Sequence, residues 1–246
     1  MTVILSPAML MHTPPEIGFP VTQPKYLDRT DILLKRLRQF NPWQLESLMK
    51  INPELALQAF QNYADFNSNA SGTPAVLAYN GLVYKHFDAQ SLSADDLKFA
   101  SEHLRILSAF YGVLYPLDGI LPHRLEMQTK LKIDKQSLYQ FWGDTLYNDV
   151  ISESGVIINL ASQEYSRCIR DYLKPGERMI DIEFLANKKG KLKTIVAWAK
   201  AARGDMARFI MQNHIENPDK LKAFDKGYEF VPELSSVDKY TFVYTV

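Results

Sequence analysis

The segment AWAKAARGDMARF (Ala197–Phe209) brings Lys200, Arg203 and Arg208 together around Gly204. Ammonium and guanidinium groups spaced this closely suit phosphate or carboxylate oxygens, the arginine fork in bidentate fashion. From Lys188 to Arg208 the chain carries Lys188, Lys189, Lys191, Lys193, Lys200, Arg203 and Arg208 against one acid, Asp205, a local charge of +6. The whole chain has 28 basic and 28 acidic side chains, so the remainder is correspondingly acidic. Distribution, not total, decides whether a protein attracts a polyanion. A solvated basic hairpin would present the same window.

Alternation along a predicted strand Lys191–Ala199 puts Lys191 and Lys193 on one face with Ile195 and Ala197. Lys200 falls on the other face with Val196 and Trp198. A helix is predicted from about Ala202 to Asn213, with Met206, Phe209 and Ile210 on its apolar face. Arg203 sits beside that face in the first turn, where its charge requires a carboxylate, a carbonyl or an anionic ligand. Arg208 points away and reads as solvated. Gly204 costs a helix about 1 kcal/mol relative to alanine, so close approach of another backbone or a ligand is expected there. Helix-start amides beside Arg203 would add to the pull on an anion.

Two other stretches hold polar residues of interest. HRLEM places His123, Arg124 and Glu126 just after Pro122, either as an internal ion pair or as part of a cleft. NLASQEY runs from a strand into a helix, with Ser162 and Glu164 at the capping positions. Arg203 and Arg124 are expected to face one cleft, because both stand among apolar residues where an unpaired charge is costly.

Much chemistry is absent from the pattern. There is no phosphate-binding GxxxxGK[ST] loop, no GxGxxG after a strand and no GxSxG elbow around Ser6. His12, His86, His103, His123 and His214 are scattered, and Cys168 is the single cysteine, so no metal site, cofactor or internal disulfide is expected. Cys168 reads as a small packing residue on a helix. The apolar start, MTVILSPAML, lacks a basic leader and soon meets Pro14 and Pro15, so it reads as a buried strand. No run reaches the roughly 18 apolar residues of a membrane span, and a cytoplasmic, membrane-free protein is expected.

The elements that must position these residues follow from turn and cap signals. Val3–Ala8 reads as a buried strand and residues 13–24 as an extended connection. Asp31–Gln39 is a predicted helix. Asn41-Pro42 and Asn52-Pro53 each pair a capping residue with a first-turn proline, so Pro42–Phe66 reads as two short helices and a tight turn. Asn80-Gly81 predicts a hairpin over Ala75–Phe87. Ser93 and Asp96 open a helix to about His103. Leu104–Leu114 and Gly155–Ser162 read as buried strands, and Ser137–Ser152 and Gln163–Leu173 as helices. NKKG turns a hairpin between RMIDIEFLA and KLKTIVAWA. A short helix from Pro218 and strands Tyr228–Val231 and Tyr240–Thr245 end the chain. The expected fold is one α+β domain over residues 1–246. It has a mixed, mostly antiparallel sheet surrounded by helices and a helical elaboration near residues 30–66.

The stretches ILSPA, GLVY, LRILSAFYGVLYPLD, HRLEM, LYQFWGD, INLASQEY and AKAARGDMARFI occur in an order and spacing that resemble the YaaA peroxide-stress protein family of bacteria. The resemblance runs from Val3 to about Phe230. It implies a cytosolic protein that helps cells survive hydrogen peroxide and limits damage linked to free iron. It also implies duplex DNA binding through a basic cleft and a helix-hairpin-helix-like element, here Pro42–Phe66. Carried over by residue, Lys200, Arg203 and Gly204 match the family's basic segment, Arg124 and Glu126 its RLEM, and Arg105 the arginine before Ser108 and Tyr111-Gly112. Met9 and Ala201 stand where lysine is usual, and KINPEL has no glycine in its hairpin; each departure removes an anion contact.

Two readings remain open at this level. One is a DNA-binding stress protein using Lys191, Lys193, Lys200, Arg203, Gly204, Arg124 and Arg105. The other is an enzyme on a nucleotide-like or phosphorylated small molecule, with Ser6, Tyr84, Tyr111 and Glu126 lining the same cleft.

Overall fold

Val3, Ile4 and Leu5 lose all contact with solvent, because a strand buried on both faces needs a near-continuous apolar run. In the computed structural model, which describes residues 1–13, 20–151 and 155–245, they form the middle of the sheet. The elements run β1 (Thr2–Leu5), β2 (Leu10–Met11), α1 (Leu27–Leu37), α2 (Pro42–Met49), α3 (Pro53–Asp65), β3 (Thr73–Pro74), α4 (Ala75–Ala78), β4 (Tyr79–Asn80), α5 (Leu82–Phe87), α6 (Ala94–His103), β5 (Leu104–Ser108), β6 (Gly112–Leu114) and β7 (Gly119–Ile120). They continue with α7 (Leu138–Trp142), α8 (Thr145–Val150), β8 (Val156–Asn159), α9 (Gln163–Arg170), β9 (Arg178–Lys188), β10 (Lys191–Lys193), α10 (Val196–Gln212), β11 (Tyr228–Phe230) and β12 (Lys239–Tyr244).

The main sheet has the order β11-β12-β9-β8-β1-β5-β6, with β10 paired to β9. It is mixed, as expected. Its centre is parallel: β12, β9, β8, β1 and β5 run the same way, in registers such as Val3↔Ile158 and Val3↔Leu104. Antiparallel ladders are confined to β6, β10, β11 and two small two-stranded pairs. Helices cover the sheet and share one continuous apolar core with it.

The two proline-started helices form as read. Asn41 accepts from the Gln44 amide, and the Gln44 side chain returns the bond, while Asn52 accepts from the Leu55 amide. Lys50 makes the turn between them at φ 55°, the left-handed region that glycine usually fills. Ser93 and Asp96 cap α6 reciprocally.

Several expectations change. The Ala75–Phe87 hairpin is instead α4, the short β4 and α5. A tight two-residue hairpin needs positive φ at Asn80 and Gly81, whereas Gly81 is extended at φ −165° and precedes α5. Its missing side chain lets Ala8 approach, with 3.2 Å to the Cβ it would have. Leu104–Leu114 is two strands, reversing where Gly112 takes φ 80° against the Trp142 ring. Ser137–Ser152 divides at Gly143, φ 53°, into α7 and α8, and its last residue lies outside the described residues. Half of the 13–24 connection (14–19) lies outside them too.

The largest change concerns the basic segment. The predicted strand Lys191–Ala199 stops at Lys193, and α10 begins at Val196. Ala197, Ala199, Ala201 and Ala202 are strong helix formers, and Ala199, Ala202, Met206, Ala207, Ile210 and Met211 are buried at helical spacing. Lys200 therefore does not end a strand, and Arg203 lies well inside a helix, not at its start.

Candidate functional site

The C-terminal ends of β1 and β8 are tied together. The Leu160 amide donates to the Ile4 carbonyl at 3.1 Å. One step further, the Ser162 amide donates to Ser6 Oγ at 2.8 Å, and Ser6 Oγ donates to Ser162 Oγ at 3.3 Å. The Tyr84 hydroxyl, on α5, donates to the Ser6 carbonyl at 2.8 Å. Burial among Tyr79 and Tyr165 pushes the Tyr84 hydroxyl pKa upward, so it stays a donor. Capping does not account for Ser162: its side chain makes no bond to the first turn of α9. The Gln163 and Glu164 amides at that helix start have no partner among the described residues.

α5 also explains how α10 is placed. A Cβ on Gly204 would lie 2.2 Å from the Val83 carbonyl oxygen, so the glycine serves helix-to-helix contact and not ligand approach. Next to it, His86 Nδ1 and Asp205 Oδ2 are 3.0 Å apart. Arg208 is not solvated as expected. It donates to the carbonyls of Phe87 and Asp88 at 2.9 and 2.8 Å and to Ser91 Oγ at 2.7 Å, closing the end of α5.

Arg203 has a different environment. It lines a cleft of about 350 Å3 with Asn159, Ala161, Gln163, Ser166 and Asp181. Its Nε is fully buried with no hydrogen-bond partner, and the guanidinium has no ion pair among the described residues. Burial lowers its pKa, countered in part by the Asp181 charge. Asp181 is already engaged, accepting from Asn159 Nδ2 at 2.7 Å and Arg170 at 2.6 Å. Lys239 and Glu183 pair across the same cleft at 3.5 Å.

The remaining candidates separate. Lys200, Lys191 and Lys193 are exposed, as are Lys188 and Lys189, and none of the five forms an ion pair among the described residues. Glu126 stands close enough to Glu164 and Tyr165 for its charge to raise both their pKa values, after the larger effect of burial. Glu164 Oε1 accepts from the Gln128 amide at 3.1 Å, holding the HRLEM loop against α9. The Tyr165 hydroxyl is buried there without a partner. The Arg124 carbonyl accepts from the Tyr63 hydroxyl, and its guanidinium pairs with neither Glu126 nor any other described acid. So α9 is a wall common to two regions: Gln163 and Ser166 meet the Arg203 cleft, and Glu164 and Tyr165 meet Glu126. Among the described residues no hydrogen bond or ion-pair network links Arg124 to Arg203.

Tyr111 and Arg105 are held by structure. The Tyr111 hydroxyl accepts from the Leu121 amide at 3.0 Å and its ring packs on His123. Arg105 donates to the carbonyls of Ser101 and Leu104 at 3.0 and 2.8 Å and lies 3.8 Å over the Tyr115 ring. Residues that sequence reasoning missed are Asn159, Ser166, Arg170 and Asp181. INLAS reads as a strand running into a helix with Ser162 as its cap, whereas Ser162 instead bonds Ser6 across the parallel pairing of β1 and β8.

Among the described residues, no three His, Cys, Asp or Glu side chains gather as metal ligands, and no helix is long and apolar enough to cross a membrane. Cys168 is buried, with its thiol pushed up to about 12 by burial.

The chain is 44% identical over 244 residues to a UPF0246 protein of Agathobacter rectalis, covering 98% of each. It is 40% identical over 244 residues to a UPF0246 protein of Lactobacillus johnsonii, covering 98% and 96%. It is 41% identical over 251 residues to one from Acaryochloris marina, covering 98% and 99%. The family model described as peroxide stress protein YaaA matches residues 1–234. With that match over nearly the whole length, and relatives this similar end to end, the chain belongs to the YaaA peroxide stress protein family.

Proposed function

We propose that this protein acts in the cytosolic response to hydrogen peroxide by binding duplex DNA through its phosphates, limiting iron-linked damage. The observation that carries the reading is the row of Lys188, Lys189, Lys191, Lys193 and Lys200, all exposed and none neutralised by an acid. Leu192 and Trp198 stand among them, both more than 40% exposed. Unpaired cations on a hairpin and an adjoining helix attract phosphates without reading sequence. The α2–α3 pair, with Lys50 at its turn, supplies a second point of contact.

The test is a duplex titration at several salt concentrations. Changing the five lysines to glutamine should flatten the slope of log affinity against log salt by roughly 4.5 units, at about 0.9 per lost phosphate contact. An unchanged slope in the folded variant would refute the reading. A second reading, a site for a phosphorylated small molecule, is favoured by one observation: the partnerless Arg203 in a cleft too small for a duplex.

A further inference from the structure

The Arg203 cleft opens at the C-terminal end of β8, one of the two strands that flank the switch point of the parallel sheet. Numbered by sequence, β1, β5, β8, β9 and β12 lie in the spatial order 2-1-3-4-5. The chain leaves β1 toward β5 on one side and leaves β8 toward β9 on the other. Between the C-terminal ends of β1 and β8 the connections diverge, and open parallel sheets bind ligands in the crevice formed at such a point. Ser6 and Ser162 bridge those two strand ends, and the Arg203 cleft lies beside them on the β9 side of β8, where Asp181, Ile182, Glu183 and Phe184 line it. Asn159, Ala161, Gln163 and Ser166 carry one wall from β8 into α9, and Arg203 reaches in from α10.

Charge narrows the ligand. Within the cleft, Arg170 is neutralised by Asp181 and Lys239 by Glu183. Arg203 remains, with one positive charge and no acceptor for a buried N–H. The surplus of one positive charge in the cleft suits a phosphomonoester, which carries about −1.5 to −2 at pH 7. The volume of about 350 Å3 falls in the range of small-molecule pockets, about 300–1,000 Å3. Ala161, Ile182, Phe184 and Ala199 provide apolar surface for the rest of the molecule.

We infer that the cleft at the C-terminal end of β8, walled by β9, α9 and α10, is a phosphomonoester site, with Arg203 as its anion anchor, separate from the lysine surface proposed to meet DNA. The inference rests on the second reading above and stands whether or not duplex DNA binds.

The experiment is calorimetric titration of the full chain with a nucleoside 5′-monophosphate, the parent nucleoside and inorganic phosphate. The proteins are the native chain, Arg203→Gln, Arg203→Lys and the five-lysine glutamine variant. The native chain should bind monophosphate and inorganic phosphate, and the nucleoside at least tenfold more weakly. Arg203→Gln should weaken monophosphate binding tenfold or more, Arg203→Lys less, and the five-lysine variant by less than twofold. Duplex binding should show the reverse dependence, so failure of the DNA reading and failure of this one give different patterns. Circular dichroism confirms that each variant is folded. Absence of monophosphate binding by the native chain, equal binding by folded Arg203→Gln, or loss in the lysine variant would each overturn the inference.

Discussion

The Val83 carbonyl oxygen occupies the space that a side chain on Gly204 would need, 2.2 Å from an added Cβ, with His86 Cβ at 2.7 Å. Gly204 is thus the point at which α10 and α5 touch backbone to backbone. The same contact holds Tyr84, on α5, over the Ser6 carbonyl and sets Arg203, one residue before Gly204, at the cleft.

Gly204→Ala should destabilise the protein. The gain in helix propensity, about 1 kcal/mol, is smaller than the overpacking penalty, about 3 kcal/mol, because backbone cannot move aside as a flexible side chain does. A net loss of about 2 kcal/mol is expected in urea denaturation. Equal or greater stability would show that the two helices separate at little cost.

Arg203→Met should have the opposite sign. A half-buried guanidinium without an acceptor is a cost to the folded state, and an apolar chain of similar length removes it. Ligand-free protein should gain about 1 kcal/mol, read as a raised denaturation midpoint at constant slope. A residue kept at such a cost is one whose charge serves binding. A loss of more than 1 kcal/mol would instead mark Arg203 as structural.

The same helix shows how far the sequence could be read. The cap signals at Asn41, Asn52 and Ser93 are local, since a side chain three residues away satisfies an amide, and all three helices start as expected. The start of α10 depends on what lies across from it. VAWAKAA fits a strand by alternation and a helix by alanine content, and burial against α5 and β9 selects the helix. Arg203 was legible as a charge beside an apolar face. Its company was not, because Asn159 and Asp181 reach it only through the parallel pairing of β8 and β9, which no local pattern encodes. Asn80-Gly81 misleads for a related reason: Tyr79 and Asn80 pair with Leu10 and Met11, distant in sequence, instead of folding back.

Arg208→Ala should lower stability by about 2 kcal/mol, although its place on α10 suggested a solvated residue. The guanidinium satisfies two carbonyls at the end of α5 and the Ser91 hydroxyl, and bonds from a charged donor are each worth about 1.5–3 kcal/mol. Its ion pair with Asp88, at 3.5 Å and half exposed, adds little. Arg208→Lys should recover only part, since one ammonium cannot reach all three acceptors. A change below 0.5 kcal/mol in denaturation would contradict this account.

His123 provides a pH signature of folding. It is buried against Phe110, Tyr111 and Tyr79, has no acid partner, and its pKa is lowered from 6.5 to about 4 by burial, with Nδ1 on the Leu121 carbonyl at 2.8 Å. The folded state therefore holds the neutral imidazole while the unfolded chain takes up a proton below pH 6.5. Because the unfolded state binds more protons in this interval, stability falls as pH drops from about 6.5 to about 4 and gains nothing further from this residue above 6.5. The drop from this one group is on the order of 3 kcal/mol. His123→Phe keeps the ring stack and removes the titration, so the native chain should lose stability relative to the variant as pH falls toward 4. Urea denaturation at pH 7, 5.5 and 4.5 would measure it, with the His123 imidazole resonances in the native state unshifted between pH 8 and 5.5. Parallel stability curves for the two proteins across that range would show that His123 takes up its proton while folded.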